Sequence, residues 1–554
     1  MKILSISCHY HESAAALIVD GHIVAAIAQE RRTRVKHDSG FPKEAIDACL
    51  RIGKVSVRNL DYVVFYEKPI VKFARNLETN IREFPRSRAY FVESMKRAFT
   101  EKLWIHSTIA DYLNIPPDRI LFVPHHLSHA ASAFYPSPFN RAAILTLDGI
   151  GEWTTGTMGI AHGNTIQIVK QLLYPHSVGL LYSTFTSFLG FEVNDGEYKV
   201  MGMAGYGKPK YLNRIHRLYR QSADGSITLN LDYFSFQYSP TRMYTDRFSK
   251  LFDGCNRFDV AASIQKTTEQ IVLSIAQVCQ KETHEENLVY SGGVALNSVV
   301  NGRLLREAGF KNIFIFPAPG DDGASVGAAL YIYHHVLGYK KRYKLTNVFF
   351  GQQFKSLEIQ KFLSEEHIPY TRMSERRLLD YICDALISGK VVGWFEGRSE
   401  FGPRALGHRS ILADPKDPKM KDIVNRKIKF REEFRPFAPA VLKEHVRTYF
   451  PDADRHLSPY MLATVAAARV VKKYAPAVVH VNGTSRIQTV DRNYKGRFRK
   501  LMKLFYRKTG RPILLNTSFN LKGEPIVETP RDAYRTFVRS GLDMLVLENY
   551  ILHK

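Results

Sequence analysis

The chain has 554 residues, 45% of them hydrophobic, with a formal net charge of +25 at pH 7 and a pI near 9.6. That length exceeds what one core organises and predicts about two to four domains; no window reaches the apolar length of a membrane span and the amino terminus enters a strand pattern without a leader, so a cytoplasmic protein is expected. The five cysteines, Cys8, Cys49, Cys255, Cys279 and Cys383, are scattered, which fits reduced thiols, excludes a CxxC zinc site and leaves His and carboxylate as metal donors.

In chain order, Lys2–Ile6 reads as an apolar strand, Ser7–Ser13 as a polar loop, and Ala14–Val19 with His22–Ala28 as a hairpin turning at Asp20-Gly21. The segment Val123-Pro124-His125-His126-Leu127-Ser128-His129-Ala130 sets His125 and His129 four apart. On a helix both point from one face, and such a pair supplies two corners of a coordination site. Ala143–Leu147 then reads as a strand that delivers Asp148, a third candidate ligand, to a turn at Gly149. Thr154–Ala161, the turn His162-Gly163-Asn164 and Thr165–Lys170 repeat the opening strand-loop-hairpin unit. Two such units resemble the duplicated ribonuclease-H-like fold of the actin and sugar-kinase superfamily, an α/β architecture with ligands between its lobes.

Ser177–Tyr182 reads as a helix, and Glu197 and Lys199, bordered by glycines, as a cleft wall. The segments Phe191–Lys199 and the aromatic-rich Ser222–Phe252 are expected to shape a substrate pocket. Asn287–Tyr290 runs as a strand into Gly292-Gly293, followed by a helix and Asn297. Paired glycines permit close approach of a base or ribose, and a helix amino terminus offers N–H groups to phosphate, so this stretch reads as an adenosine site. After Ile313–Phe316, the adjacent Asp321 and Asp322 open a small-residue helix, and each is either a helix cap or a fourth metal ligand.

A charged connector, Lys340–Lys344, separates an amino-terminal region, residues 1–345, from a carboxyl-terminal domain, residues 346–554. The basic runs Tyr339–Lys344 and Lys495–Lys503 read as solvated faces, because no aromatic stacking motif accompanies them. At the centre of the second domain Phe395–Leu412 and Asn425–Phe437 interleave arginines with glycines, prolines and aromatics. Guanidinium forks in that setting bind polyphosphate and a second anion.

Together the stretches Glu197–Gly207, Ser291–Leu305, Gly397–Asp414, Ile428–Pro439 and Leu514–Pro530 resemble the O-carbamoyltransferase family of nodulation-factor and antibiotic biosynthesis. Its amino-terminal part is similar to the tRNA threonylcarbamoyl transferase subunit, and its carboxyl-terminal part to YrdC-like synthases with an α/β fold. The resemblance implies that carbamoyl phosphate and ATP, with Mg2+, give carbamoyl adenylate, and that the carbamoyl group then passes to a hydroxyl of a small-molecule or saccharide acceptor. It implies Arg404, Lys429, Arg435 and Arg486 as binders of nucleotide and carbamoyl phosphate, with Asn516 and Ser518 orienting. It implies His125, His129, Asp148 and Asp321 as metal ligands, Asp321 being the aspartate of Asp-x-Gly, for Fe2+ first and Mn2+ or Zn2+ as alternatives. His11 is implied as the base for the acceptor hydroxyl and Lys36 as a phosphate ligand. Gly149, Glu197, Lys199, Gly292, Gly293 and Asn297 complete the expected substrate contacts. The competing expectations are a tRNA- or nucleoside-modifying carbamoyl transferase, disfavoured because no RNA module is recognisable, and an inactive nucleotide-binding scaffold. A homodimer is the expected oligomer.

Overall fold

Strand pairing shows the repeat directly. In the computed structural model, which describes Met1–Lys554, strands β1 (Lys2–Ser7), β2 (Ala14–Val19), β3 (His22–Ala28), β4 (Tyr62–Phe65) and β5 (Ile120–Phe122) form a sheet in the order β3-β2-β1-β4-β5. Strands β6 (Arg141–Leu147), β7 (Thr154–His162) and β8 (Thr165–Leu173) join β11 (Asn287–Ser291) and β12 (Asn312–Ile315) in the order β12-β11-β6-β7-β8. In each sheet the first three strands run as an antiparallel meander and the last two add in parallel beside the first. The two sheets are therefore copies of one topology, and the amino-terminal unit has the duplicated ribonuclease-H-like fold of actin and sugar kinases. A small hairpin, β9 (Tyr219–Gln221) with β10 (Ile227–Leu229), lies in the long connection between β8 and β11.

Equivalent helices follow the fifth strand of each copy: His125–Phe134 after β5 and Asp321–Tyr331 after β12. They pack at backbone distance. A Cβ placed on Gly327 would stand 1.8 Å from Ser128 O and 2.6 Å from Ser132 N, so only glycine permits this approach. Arg342 closes the first helix by donating to the carbonyls of Phe134, Tyr135 and Gly163, and burial draws its pKa down to about 10.

The chain divides into two compact units, Met1–Gln29 with His37–Thr346, and Glu30–Lys36 with Asn347–Lys554. The short segment belongs to the second unit because its arginines are fastened there. Arg31 donates to Gly402 O (2.8 Å), Arg32 to Gln352 Oε1 (2.8 Å) and Arg34 to Pro525 O and Ile526 O (2.7 Å each).

The second unit is built on β13 (Thr371–Arg372), β14 (Val392–Phe395), β15 (Arg409–Ala413), β16 (Ala438–Leu442), β19 (Gln488–Val490), β20 (Ile513–Ser518), β21 (Met544–Leu547) and β22 (Tyr550–His553). They run in one mixed sheet, β13-β22-β21-β14-β15-β20-β16-β19, while β17 (Thr464–Ala466) and β18 (Thr484–Arg486) pair separately. Apolar side chains fill both faces of the large sheet.

Two expectations about charge hold for the lysines and are corrected for the arginines. In the runs read as solvated faces Lys340, Lys341, Lys344, Lys495, Lys500 and Lys503 are exposed, whereas the arginines are structural: Arg342 as above, Arg497 buried against Glu396 and Glu548, and Arg499 against Glu444. Each arginine lies on a turn or helix face turned inward, where its fork satisfies carbonyls and carboxylates that would otherwise be buried unpaired. Replacing Gly327 by Val is expected to destabilise the amino-terminal unit by about 2 kcal/mol or more through overpacking, read as a lowered denaturation midpoint.

Candidate active site

The metal candidates converge in the amino-terminal unit. His125 and His129 are on the first two turns of their helix, Asp148 follows β6, and Asp321 opens the equivalent helix of the second copy. All four are buried, and one ligand atom from each lies within 4.8 Å of every other. His125 Nε2 is 3.1 Å from Asp148 Oδ2, 3.1 Å from His129 Nε2 and 3.7 Å from Asp321 Oδ1. His129 Nε2 is 3.8 Å from Asp148 Oδ2 and 3.4 Å from Asp321 Oδ1. Tetrahedral coordination at about 2.1 Å has ligand–ligand edges of about 3.4 Å, so the spacing fits one divalent ion. Two imidazoles and two carboxylates suit iron, manganese or zinc. The buried Oδ2 of Asp321 lacks a hydrogen-bond partner, a further polar atom available to a cation. Burial opposes the charged form of His129, but hydrogen bonds to Asp148 and Asp321 and their charges carry its pKa up to about 9.

Neighbouring groups orient the ligands. Gly293 N–H donates to Asp148 Oδ1 (2.8 Å), which leaves Oδ2 toward the histidines. Gly292 has φ +94, and a Cβ there would stand 2.2 Å from Leu147 O. The glycine pair thus brings a backbone donor onto the Asp148 carboxylate. Glu152, not singled out from sequence, accepts from His125 N at 3.0 and 3.2 Å and from Lys68 N at 2.8 Å, placing a buried carboxylate at two helix starts. His126 turns away, to Thr146 Oγ1 (2.6 Å) and Thr154 O (2.8 Å). Asp322 Oδ1 accepts from Gly323 N (2.8 Å), a bond to the next residue's backbone.

Other expected contacts resolve separately. His11 stacks on His37 with ring centres 4.6 Å apart, and His37 is held between Glu12 Oε1 (3.1 Å) and Asp195 Oδ1 (3.0 Å). Lys199 pairs with Asp195 (2.8 Å), while Glu197 accepts from Ser183 Oγ (2.7 Å) and Asn194 N (3.0 Å) at the start of the helix Glu197–Ala204. Gly149 O accepts from Ser177 Oγ (2.8 Å). Asn297 caps the helix Ser298–Glu307 by accepting from Val300 N and exchanges amide bonds with Gln265; that helix begins beyond a 3-10 turn, Gly293–Leu296, later than expected. Lys36 falls in the segment grouped with the second unit. The aromatic stretch expected to shape a pocket is partly core: Phe248 and Phe252 are buried and pack on Phe185 and Phe188, Phe234 is buried against Phe248, and Phe236, Tyr238 and Tyr244 are half-buried.

In the second unit, the loop before β15, the segment from residue 424 to β16 and the β18 strand collect Arg404, Lys429, Arg431, Arg435 and Arg486, and the end of β20 brings Ser518 to Lys429. Their charges act on one another: burial, then Arg404, Arg435 and Arg431, hold the Arg486 pKa well below its usual value. Burial, then Arg431 and Arg435, do the same to Lys429. Lys429 Nζ donates into an oxygen cage of Ser518 O and Oγ with Asn520 O and Oδ1. Asn516 Nδ2 donates to Gln488 Oε1 (2.7 Å) and Ala405 O (3.3 Å). Buried Arg486 Nε and Asn516 Oδ1 have no hydrogen-bond partner. Arg431, Gln488 and Asn520 were not selected from sequence, although Arg431 lies inside the arginine-rich stretch. So much closely spaced positive charge, buried at Lys429 and half-buried at the arginines, with polar atoms left over, fits a polyphosphate.

The family model for the carbamoyltransferase amino terminus matches residues 2–330 and that for the carboxyl terminus residues 383–554. The uncharacterized protein sll1178 of Synechocystis sp. is 44% identical over 100% of this chain and 96% of its own length. Nodulation protein NolNO of Sinorhizobium fredii is 36% identical over 98% of this chain and 79% of its own. Among solved structures, the (R)-2-hydroxyglutaryl-CoA dehydratase component A of Acidaminococcus fermentans is 17% identical, with 61% of this chain and 99% of that chain covered and a TM-score of 0.35.

Metal analysis of purified variants is expected to separate the three neighbouring histidines. His125→Ala and His129→Ala should each weaken metal binding by about 10-fold or more, whereas folded His126→Gln protein should retain its metal.

Proposed function

This chain belongs to the carbamoyltransferase family, and from that premise we propose that it is an ATP-dependent O-carbamoyltransferase. In this reading the carboxyl-terminal unit makes carbamoyl adenylate in two steps: water cleaves carbamoyl phosphate to carbamate and phosphate, and a carbamate oxygen then attacks the α-phosphorus of ATP and expels pyrophosphate. The amino-terminal unit then passes the carbamoyl group to the hydroxyl of a small-molecule or saccharide acceptor, and AMP leaves. The observation that carries the ATP requirement is the cation cluster around Arg486 and Lys429. Adenylation concentrates negative charge at the α-phosphorus and the departing pyrophosphate, and preorganised cations stabilise it without reorganisation.

Arg404, Arg431, Arg435 and Arg486 bind the polyphosphate, with Mg2+ as its counter-ion. Lys429, aimed by Ser518 and Asn520, faces the oxygen where charge develops, and Asn516 orients the carbamoyl amide. In the amino-terminal unit His125, His129, Asp148 and Asp321 hold a divalent metal, iron first, which supplies Lewis-acid polarisation when bound. Gly293 fixes Asp148, and Glu152 fixes the start of the His125 helix. His11, stacked on the carboxylate-bound His37, takes the proton of the acceptor hydroxyl. The enzyme works in the cytoplasm and as a homodimer.

The net charge of +25 favours a second reading in which the acceptor is a tRNA or nucleoside. Incubation with labelled carbamoyl phosphate, ATP and either polyol or tRNA separates the two by which acceptor carries label. Without acceptor, the protein is expected to release pyrophosphate from carbamoyl phosphate and ATP; nucleotide binding without that release would identify an inactive scaffold. Arg486→Ala should lower pyrophosphate release by about 100-fold, while His129→Ala should keep that release and lose carbamoyl transfer.

A further inference from the structure

The first loop of the amino-terminal unit is faced by cations that neither the metal ligands nor the nucleotide cluster use. Lys72 and Arg75 stand on the helix Pro69–Arg82, and Lys102 ends a π-helical turn, Ala98–Lys102. Lys72 is buried, with Nζ 2.5 Å from Glu67 Oε2 and 4.3 Å from the centre of the Tyr10 ring. Arg75, also buried, donates to Gly151 O (3.4 Å) and Asn76 Oδ1 (2.7 Å), with its guanidinium 5.1 Å from the Tyr174 ring centre. The Lys102 side chain enters no ion pair or side-chain hydrogen bond, and its turn meets the first loop where Glu101 lies 3.7 Å from His9 Nδ1. Burial, the charge of Lys72, then Arg75 and Arg97 push the Lys102 pKa down to about 8 against the pull of Glu67. The other nearby acid, Glu101, points outward with its side chain 57% exposed.

This cluster borders the ligand set. Gly151, which accepts from Arg75, lies so close to His125 that a Cβ on it would be 2.9 Å from His125 Cδ2. Tyr10, under Lys72, reaches Gly149 with its hydroxyl 3.7 Å from that residue's Cβ position, and its pKa is pushed up by burial and by the charges of Asp148 and Asp321. Glu67 is the one carboxylate that forms an ion pair with any of the three cations, and it pairs with Lys72. Withdrawn charge of one sign is costly unless an opposite charge completes it.

We propose that Lys72, Arg75 and Lys102 form an oxyanion subsite beside the metal ligands, and that the phosphate or carboxylate it binds is carried by the acceptor. The acceptor is then a hydroxyl compound bearing an anionic group, held by charge-assisted hydrogen bonds while its hydroxyl lies at the reacting centre. This rests on the proposed transferase reading for the acceptor's role, but the subsite itself is testable without turnover.

Inorganic phosphate is the probe. The full-length protein is acetylated briefly with an N-hydroxysuccinimide ester at pH 8, and modification of each lysine is read by mass spectrometry in phosphate and in chloride of equal ionic strength. Phosphate should slow acetylation of Lys102 about fivefold at a few times its dissociation constant and leave the exposed Lys54 unchanged. Arg75→Gln should remove the protection. Equal Lys102 rates in phosphate and chloride overturn the subsite, and this comparison needs no variant. Protection unaltered in folded Arg75→Gln protein overturns the assigned geometry. Saturating AMP separates the sources of the anion. Phosphate protection that persists with AMP bound supports the acceptor, whereas AMP that itself protects Lys102 and abolishes the phosphate effect assigns the subsite to the adenylate and overturns the acceptor assignment. Acceptor-free pyrophosphate release reports separately on the transferase reading.

Discussion

The amino-terminal unit depends on the convergence of two imidazole nitrogens and two carboxylate oxygens in a small buried volume. Their arrangement follows from the duplication. The helix after the fifth strand of the first copy contributes His125 and His129, and its counterpart in the second copy contributes Asp321. Asp148 comes from the end of β6, the second copy's equivalent of β1. The two helices meet closely because Gly327 has no side chain to hold their backbones apart. Gly293 and Glu152 then set the ligand carboxylate and the helix start. Topology delivers the elements, small residues let them touch, and backbone donors aim the ligands.

The second unit solves a different electrostatic problem. Its cations are held near one another by secondary structure whose stability comes from apolar packing elsewhere in the sheet. Lys429 is satisfied by oxygens of Ser518 and Asn520, so its burial is tolerated by dipoles instead of a counter-carboxylate. No fixed carboxylate neutralises it. Arg409 shows the structural alternative: fully buried, it donates to backbone carbonyls and lies 3.6 Å from the Phe395 ring centre.

Much of this was legible where the physics is local. The strands Ala14–Val19 and His22–Ala28 are runs of small and branched apolar residues, and Asp20-Gly21 marks the turn between them. The four-residue spacing of His125 and His129 is a statement about one helix face, and the strand before Asp148 shows where its carboxylate must emerge. The choice between Asp321 and Asp322 needed more than spacing, and the structure separates them: Asp322 accepts from its neighbouring backbone, while Asp321 turns to the histidines. What was not legible is tertiary. Glu152 caps a helix that begins 27 residues earlier, Gly293 reaches Asp148 from another strand, and Lys72 and Lys102 meet only when the segment between β4 and β5 folds back on the first loop. The aromatic stretch from Ser222 to Phe252 has the composition of either a stacking surface or a core, and only the fold shows that Phe234, Phe248 and Phe252 go to the core while Phe236, Tyr238 and Tyr244 stay half-buried.

The central claim is that one divalent metal is held by these four side chains. Anomalous diffraction at the absorption edge of the metal found in the purified protein tests it most directly. The account predicts a single peak bonded to His125 Nε2, His129 Nε2 and one oxygen each of Asp148 and Asp321, at about 2.1 Å. A peak at His11, Glu12 and His37, the other group whose donor atoms lie within 4.8 Å of one another, with none at the four buried ligands, would contradict it.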